Sequence, residues 1–159
     1  MRDAQVTILV ADVGPATTFE RISDFAAYPD LIDVVRSVSV RPVGPGEDHS
    51  DWEVFFRNGI LRWTEVDRFD ADALTITFEQ LEGDFAEFAG TWVVTPHGTG
   101  SAVAFTAGFD FGIPSLAGLL DPIAERVLKE TIVRAVAGLF DRVDVVGDDA
   151  ALALAAGVR

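Results

Sequence analysis

The chain lacks cysteine, and among its 159 residues it has one methionine, one tyrosine and two histidines. Without cysteine there is no disulfide framework, no zinc site with thiolate ligands and no thiol nucleophile. His49 and His97 are the only imidazoles, and both fall in segments that read as turns, where a histidine is far more often solvated than catalytic. Positive charge is also scarce. Twelve Lys and Arg against 26 Asp and Glu give a net charge of -14, which repels phosphate backbones and anionic membranes and argues against nucleic-acid binding and membrane attachment. No uninterrupted apolar run approaches the ~20 residues of a transmembrane helix, and the apolar stretch in MRDAQVTILVADVG is too short for a signal-peptide core, so the cytoplasm is the simplest compartment. No metal-ligand spacing, phosphate-cradling glycine loop or serine elbow is present, and neither a metal nor a cofactor is expected.

Apolar and aromatic residues, by contrast, are abundant. A hydrophobic content of 49% in a chain of this length supports one domain with a substantial core, placed at residues 1–146 with a tail at 147–159. Val6, Ile8 and Val10 alternate with smaller or polar residues and predict a strand over 4–11. GPATTFERISDFAAYPDLIDVV then predicts two short helices: Pro15 near a start, Phe19, Ile22 and Phe25 at helical spacing, and Pro29 ending the first and opening the second. Alternation resumes at about 35–42, 50–57, 60–69, 73–81, 85–95 and 101–111, broken by GPGED, RNG, DADA, EGD and PHGTG, all rich in turn formers. After FGIPS the period becomes about 3.6. Ile123, Val127, Leu128, Ile132, Ala135, Val136, Leu139, Phe140 and Val143 form one stripe, with Asp121–Pro122 as N-cap and first turn and Gly147 as C-cap.

This order predicts an α+β fold in which a curved seven-stranded antiparallel sheet wraps a long C-terminal helix, with two short helices between strands 1 and 2. Consecutive antiparallel strands must bury one face, and only the last helix is long enough to cover it. The inward residues are then Val38 and Val40; Trp52, Val54 and Phe56; Leu74, Ile76 and Phe78; Phe88, Trp92 and Val94; and Val103, Phe105, Phe109 and Phe111. Three Trp and twelve Phe facing a helix with small residues such as Ala124, Ala135 and Gly138 leave room for an apolar ligand. For any one aromatic, packing in the core is the more common role.

The stretch RWTEVDRF adds an anomaly. Trp63, Glu65, Asp67 and Phe69 share one strand face, and with Leu61 this is the more apolar face, so both acids are expected to point inward. Two carboxyls in an aromatic interior would repel each other and resist ionisation, which raises at least one pKa and suits the pair to proton transfer. The alternative is that both reach water at the sheet rim, paired with Arg57, Arg62 or Arg68.

The stretches DFAAYPDLIDVV, WTEVDRFD, FEQLEGDFAEFAGTW and GTGSAVAFTAGFDF, in that order between Val6 and Val143, resemble the START-like helix-grip superfamily, in its polyketide cyclase/dehydrase (aromatase/cyclase) and lipid-transport branch. The resemblance implies a deep hydrophobic pocket between sheet and helix, its mouth near the short helices, with pocket residues at Tyr28, Ile32, Trp63, Trp92 and Phe105. It implies binding of a poly-β-ketone and promotion of aldol closure and dehydration. Members commonly carry an arginine on the W-T strand, and some a histidine on the last strand. Here Asp67 and either Ala107 or Gly108 stand at those positions.

The leading expectation is therefore a polyketide cyclase-like protein that binds an apolar, carbonyl-containing intermediate. Glu65 or Asp67 would act as acid or base, and Tyr28 would donate a hydrogen bond to a carbonyl. Ile32, Trp52, Val54, Phe56, Trp63, Phe78, Phe88, Trp92, Phe105 and Phe109 would bind substrate, and contact with a carrier protein is a further expectation. The rivals are a non-catalytic carrier of lipid, quinone or another hydrophobic ligand, and an interaction module whose interior is only core.

Overall fold

The computed structural model describes residues 2–56, 59–110 and 114–147, with side chains for these except Phe56 and 114–124. The chain runs β1 (Arg2–Val10), α1 (Pro15–Ser23), a 3-10 turn (Phe25–Ala27), α2 (Tyr28–Leu31), β2 (Val35–Gly44), β3 (Glu47–Phe56), β4 (Gly59–Asp70), β5 (Thr75–Gly83), β6 (Glu87–His97), β7 (Gly100–Asp110), α3 (Pro114–Leu139) and β8 (Val143–Val145). Pro15 opens α1, where its missing N–H costs nothing. Pro29 lies near the start of α2, after the chain has left α1 at Ser23.

The strands form one sheet in the order β2-β3-β4-β5-β6-β7-β1-β8, antiparallel at each pairing. Strands β2 to β7 are a meander, and β1 returns beside β7 to give the helix-grip arrangement. The sheet has an eighth strand beyond the seven expected. Val143 ends the helical stripe expected from sequence, but α3 ends at Leu139, and Val143–Val145 pairs with Ile8–Val10 of β1. Gly147 accordingly follows a strand and does not cap a helix, although its φ of 73° is left-handed. At its other end α3 begins at Pro114, so Asp121–Pro122 lies within it and is not its start. His49 lies in β3, half-buried, and not in a turn; the alternating run begins at Glu47, before the expected strand. The expected tail from 148 onward lies outside the described residues, as do Phe111 and the side chains of Ile123 and Ala124.

The core fills the space between the concave sheet face and α3. Val6, Ile8 and Val10 of β1, Val103 and Phe105 of β7, and Val133 and Val136 of α3 are all buried, the two helix valines completely. Gly138 lets α3 approach α2, since a Cβ there would lie 2.5 Å from the Leu31 carbonyl oxygen. Gly90 of β6 makes room for a ring, since its Cβ would lie 2.8 Å from the tip of Phe78.

A charge on the sheet-facing side of α3 tests this arrangement. Val136→Asp puts a carboxylate at a fully buried position with no partner, and should cost several kcal/mol. Chemical denaturation should show either that loss or no cooperative transition, whereas a midpoint within error of the wild type would place the helix outside the core.

Candidate functional site

The helix covers the β1–β7 side of the sheet closely and leaves an apolar cavity of about 90 Å³ toward β3 and β4. Trp52 and Val54 of β3, Trp63 of β4, Phe78 of β5, Phe88 and Trp92 of β6, and Phe105 and Phe109 of β7 line it. These are the substrate-binding positions expected from sequence, apart from two. Ile32 is buried but stands off the wall, and the Phe56 side chain lies outside the described residues. Val127, Leu128, Thr131, Ile132 and Ala135 of α3 close the opposite side.

Sequence reading missed Phe25, Phe55 and Phe85. Phe25 packs edge-on against Trp52 at 5.2 Å. Phe85 sits in the β5–β6 connection, where alternation carries no signal. The side-chain amide of Gln80 holds this turn, donating to the Phe85 carbonyl at 2.8 Å and accepting from its N–H at 3.3 Å. The Phe85 ring thereby stacks on Phe88 at 4.6 Å. Phe55 is out of phase with Trp52 and Val54, yet lines the cavity edge while 47% exposed.

Trp52 and Trp63 face each other across the β3–β4 ladder, with their rings parallel to within 2° and 5.9 Å apart. Beside this stack lie the two acids. Glu65 is 4% exposed and Asp67 fully buried, so both point inward. Neither pairs with the arginines of its own strand: Arg62 binds Glu53 at 2.7 Å and Arg68 binds Glu47 at 3.0 Å, all at the outer surface. Arg57 lies outside the described residues.

The acids are held by neutral donors. Trp63 Nε1–H donates to Glu65 Oε1 at 2.7 Å. Trp52 Nε1–H donates to Ser50 Oγ at 2.8 Å, and Ser50 Oγ–H donates in turn to Asp67 Oδ2. Asp67 Oδ1 is buried without any such donor. The neighbouring Glu65 carboxyl supplies one if it carries a proton. Burial, then the hydrogen bond and negative charge of Asp67, raise the Glu65 pKa well above the usual carboxyl range. Burial raises Asp67 too, but hydrogen bonds from Glu65 and Ser50 oppose that rise. Burial and mutual repulsion thus oppose ionisation of both carboxyls at once, and the upward push is the stronger on Glu65. Glu65 lines the cavity, whereas Asp67 lies behind it. A bulge adjoins Glu65: Thr64 pairs with Glu82 and Glu65 with Gln80, leaving Leu81 without a partner in the ladder.

The donor role expected of Tyr28 does not fit its surroundings. Its hydroxyl donates to the Ile22 carbonyl at 2.5 Å, and burial followed by the nearby charges of Glu65, Asp24 and Asp67 raises its pKa well above the ordinary value. The ring forms cavity wall, and its proton fastens the end of α1. Ala107 and Gly108, where the family resemblance implies a histidine in some members, lie in β7, with Ala107 buried between Ala4 and Gly90. Among the described residues there is no group of histidine, cysteine and acidic side chains that could hold a metal ion. No helix among them is long and apolar enough to cross a membrane.

A family model described as polyketide cyclase / dehydrase and lipid transport matches residues 12–135. Comparison with curated protein sequences finds no match. Among solved structures, a protein of Thermus thermophilus is 25% identical with a TM-score of 0.80, over 87% of this chain and 94% of that one. The Zhui aromatase/cyclase of Streptomyces sp. R1128 is 19% identical with a TM-score of 0.67, over 97% and 92%. A START superfamily protein of Mycobacterium smegmatis is 17% identical with a TM-score of 0.73, over 86% and 94%. The last two likenesses concern the fold.

The raised Glu65 pKa has a consequence for stability. Glu65 binds its proton more tightly folded than unfolded, so its contribution is complete below the unfolded value of about 4.5 and is lost as pH rises through the raised folded value. Glu65→Gln keeps the shape and removes this titration. The melting temperature of the wild type minus that of Glu65→Gln should therefore fall between about pH 5 and pH 8. A difference independent of pH would mean that Glu65 is ionised throughout.

Proposed function

Because the chain belongs to the polyketide cyclase / dehydrase and lipid transport family, we propose that it binds an apolar, carbonyl-containing biosynthetic intermediate between sheet and helix and promotes its ring closure or dehydration. The observation that carries this reading is the position of Glu65, a buried carboxyl on an otherwise aromatic and aliphatic wall, with Asp67 directly behind it.

Dehydration requires a proton for the leaving hydroxyl and removal of a proton from the adjacent carbon. Glu65 in its neutral form can give its proton to the hydroxyl oxygen, so that the C–O bond breaks and water leaves. The resulting carboxylate can take the α-proton as the double bond forms, which returns Glu65 to its starting state. Aldol closure uses the same two transfers, to a carbonyl oxygen and from an α-carbon. Asp67 makes the proton available by holding it in a hydrogen bond, and the tryptophan stack supplies a flat wall for an extended or cyclising chain.

The cavity of about 90 Å³ is smaller than the roughly 150 Å³ that holds benzene in an engineered core. Admission of a multi-ring product therefore requires wall side chains to move, and half-exposed Phe55 marks where entry is easiest. An intermediate presented on a carrier protein would use the same opening.

The second reading is a carrier without chemistry, favoured by the absence of a basic side chain on the described cavity wall. Glu65→Gln separates the two. As an acid and base, Glu65 should be worth roughly two to four orders of magnitude in turnover of a poly-β-ketone analogue, with binding little changed as read by tryptophan quenching. Equal product formation by wild type and variant, measured by chromatography, would assign the protein to the carrier class.

A further inference from the structure

We propose that the buried Glu65, Asp67 and Ser50 cluster, on a cavity whose described wall has no basic side chain, makes this pocket selective for uncharged carbonyl-bearing ligands and rejects carboxylates of the same skeleton. The inference rests on the pocket reading above and names the ligand class that the pocket takes.

Four polar hydrogens around the cavity are already committed. Tyr28 donates to the Ile22 carbonyl, Thr131 to the Val127 carbonyl at 2.8 Å, Trp52 to Ser50 and Trp63 to Glu65. The described cations are committed as well. Arg36 and Arg62 bind Glu53, Arg41 binds Asp51, Arg68 binds Glu47, and Arg134 lies 4.0 Å from Asp33. Arg2 and Lys129 bind Glu125, Arg126 binds Glu130 and Arg142 binds Asp12. Arg21 lies over the Phe140 ring, and none of these residues lines the cavity. His49 alternates with Ser50 along β3 and so belongs to the other sheet face. The hairpin end at Gly59 is six residues along β4 from Glu65, about 20 Å of strand.

A carboxylate entering this space would lose its hydration, gain no cation, and approach the negative charge of the acid pair. Each of these is unfavourable, and in an apolar interior they compound. A ketone or ester asks for less. Its oxygen needs one donor, which the Glu65 proton can supply by turning from Asp67 to the ligand. The two acids thus have separate roles. Glu65 presents the proton, while Asp67 keeps the charge that excludes anions.

The test uses a matched pair, 2-acetonaphthone and 2-naphthoate, titrated at about pH 8 and followed by tryptophan quenching. The wild type should bind the ketone at least about 30-fold more tightly. Asp67→Asn removes the buried charge and should narrow that ratio by about tenfold, whereas Glu65→Gln retains the Asp67 charge and should leave it nearly unchanged. Should Asp67→Asn fail to fold, Thr131→Arg offers the missing cation from the helix wall and should strengthen naphthoate binding by about tenfold. Equal affinity of the wild type for both probes overturns the proposal, as does a ratio that neither Asp67→Asn nor Thr131→Arg changes. Turnover lost in Glu65→Gln alongside equal affinities would leave the proposed chemistry standing and remove the selectivity alone. Absence of binding by either probe would remove both.

Discussion

The interior depends on the way α3 is gripped by one side of the sheet. Val133 and Val136 are completely buried, and Gly138 allows backbone contact with α2. This fixes the helix against β1 and β7. The β3–β4 ribbon must then be covered at longer range, by side chains instead of by close helix packing. Large rings can span that gap, and the cavity is the space they leave between Trp52, Trp63, Phe88 and the Leu128 side of α3. Apolar content alone would have permitted a filled core. The close grip on one flank and the aromatic span on the other create the pocket.

Within that span, burial of two acids would be prohibitive if both were ionised, because each loses hydration and each repels the other. The fold relieves this with neutral hydrogen-bond donors. Both indoles in the stack serve a polar purpose as well as a packing one: Trp63 reaches Glu65 directly, and Trp52 reaches Asp67 through Ser50. The remaining Asp67 oxygen, Oδ1, is buried without a donor unless a carboxyl of the pair carries a proton. Each acid already receives one neutral donor, Trp63 for Glu65 and Ser50 for Asp67, and burial pushes the pKa of Glu65 up the more strongly. Structural demands alone therefore favour a neutral carboxyl on the cavity side.

The parts of this architecture governed by simple periodicity were legible in the sequence. Alternation placed Trp52, Trp63, Phe78, Phe88, Trp92, Phe105 and Phe109 inward, and the same rule turned Glu65 and Asp67 with them. Features that depend on register or on a turn were not legible. The donation from Ser50 to Asp67 requires β3 and β4 to pair as they do, with Ser50 opposite Glu65. Phe85 enters the wall only because Gln80 holds a turn. The strand at Val143–Val145 continued the helical stripe by coincidence of spacing, and Asp121–Pro122 imitated a helix start inside α3. Local patterns report which face a residue takes, but not where an element stops when two periods agree over a few residues.

An acid at position 67, where the family resemblance implies an arginine, changes what kind of chemistry the proposed site would support. A guanidinium beside a reacting carbonyl stabilises negative charge as it develops on oxygen, so an enolate can form without a proton being delivered. An acid pair cannot do this, because an oxyanion next to the Asp67 charge is unfavourable. It can only neutralise the oxygen by giving it a proton as charge develops. In the proposed chemistry, reaction in this cavity is therefore coupled to transfer from Glu65, and the aromatic wall favours intermediates that remain uncharged. The same constraint joins the two proposals made for this protein. On these proposals, a site that stabilises no anion in its transition states also accepts none among its ligands, and both properties trace to a buried acid pair without a cation on the described wall.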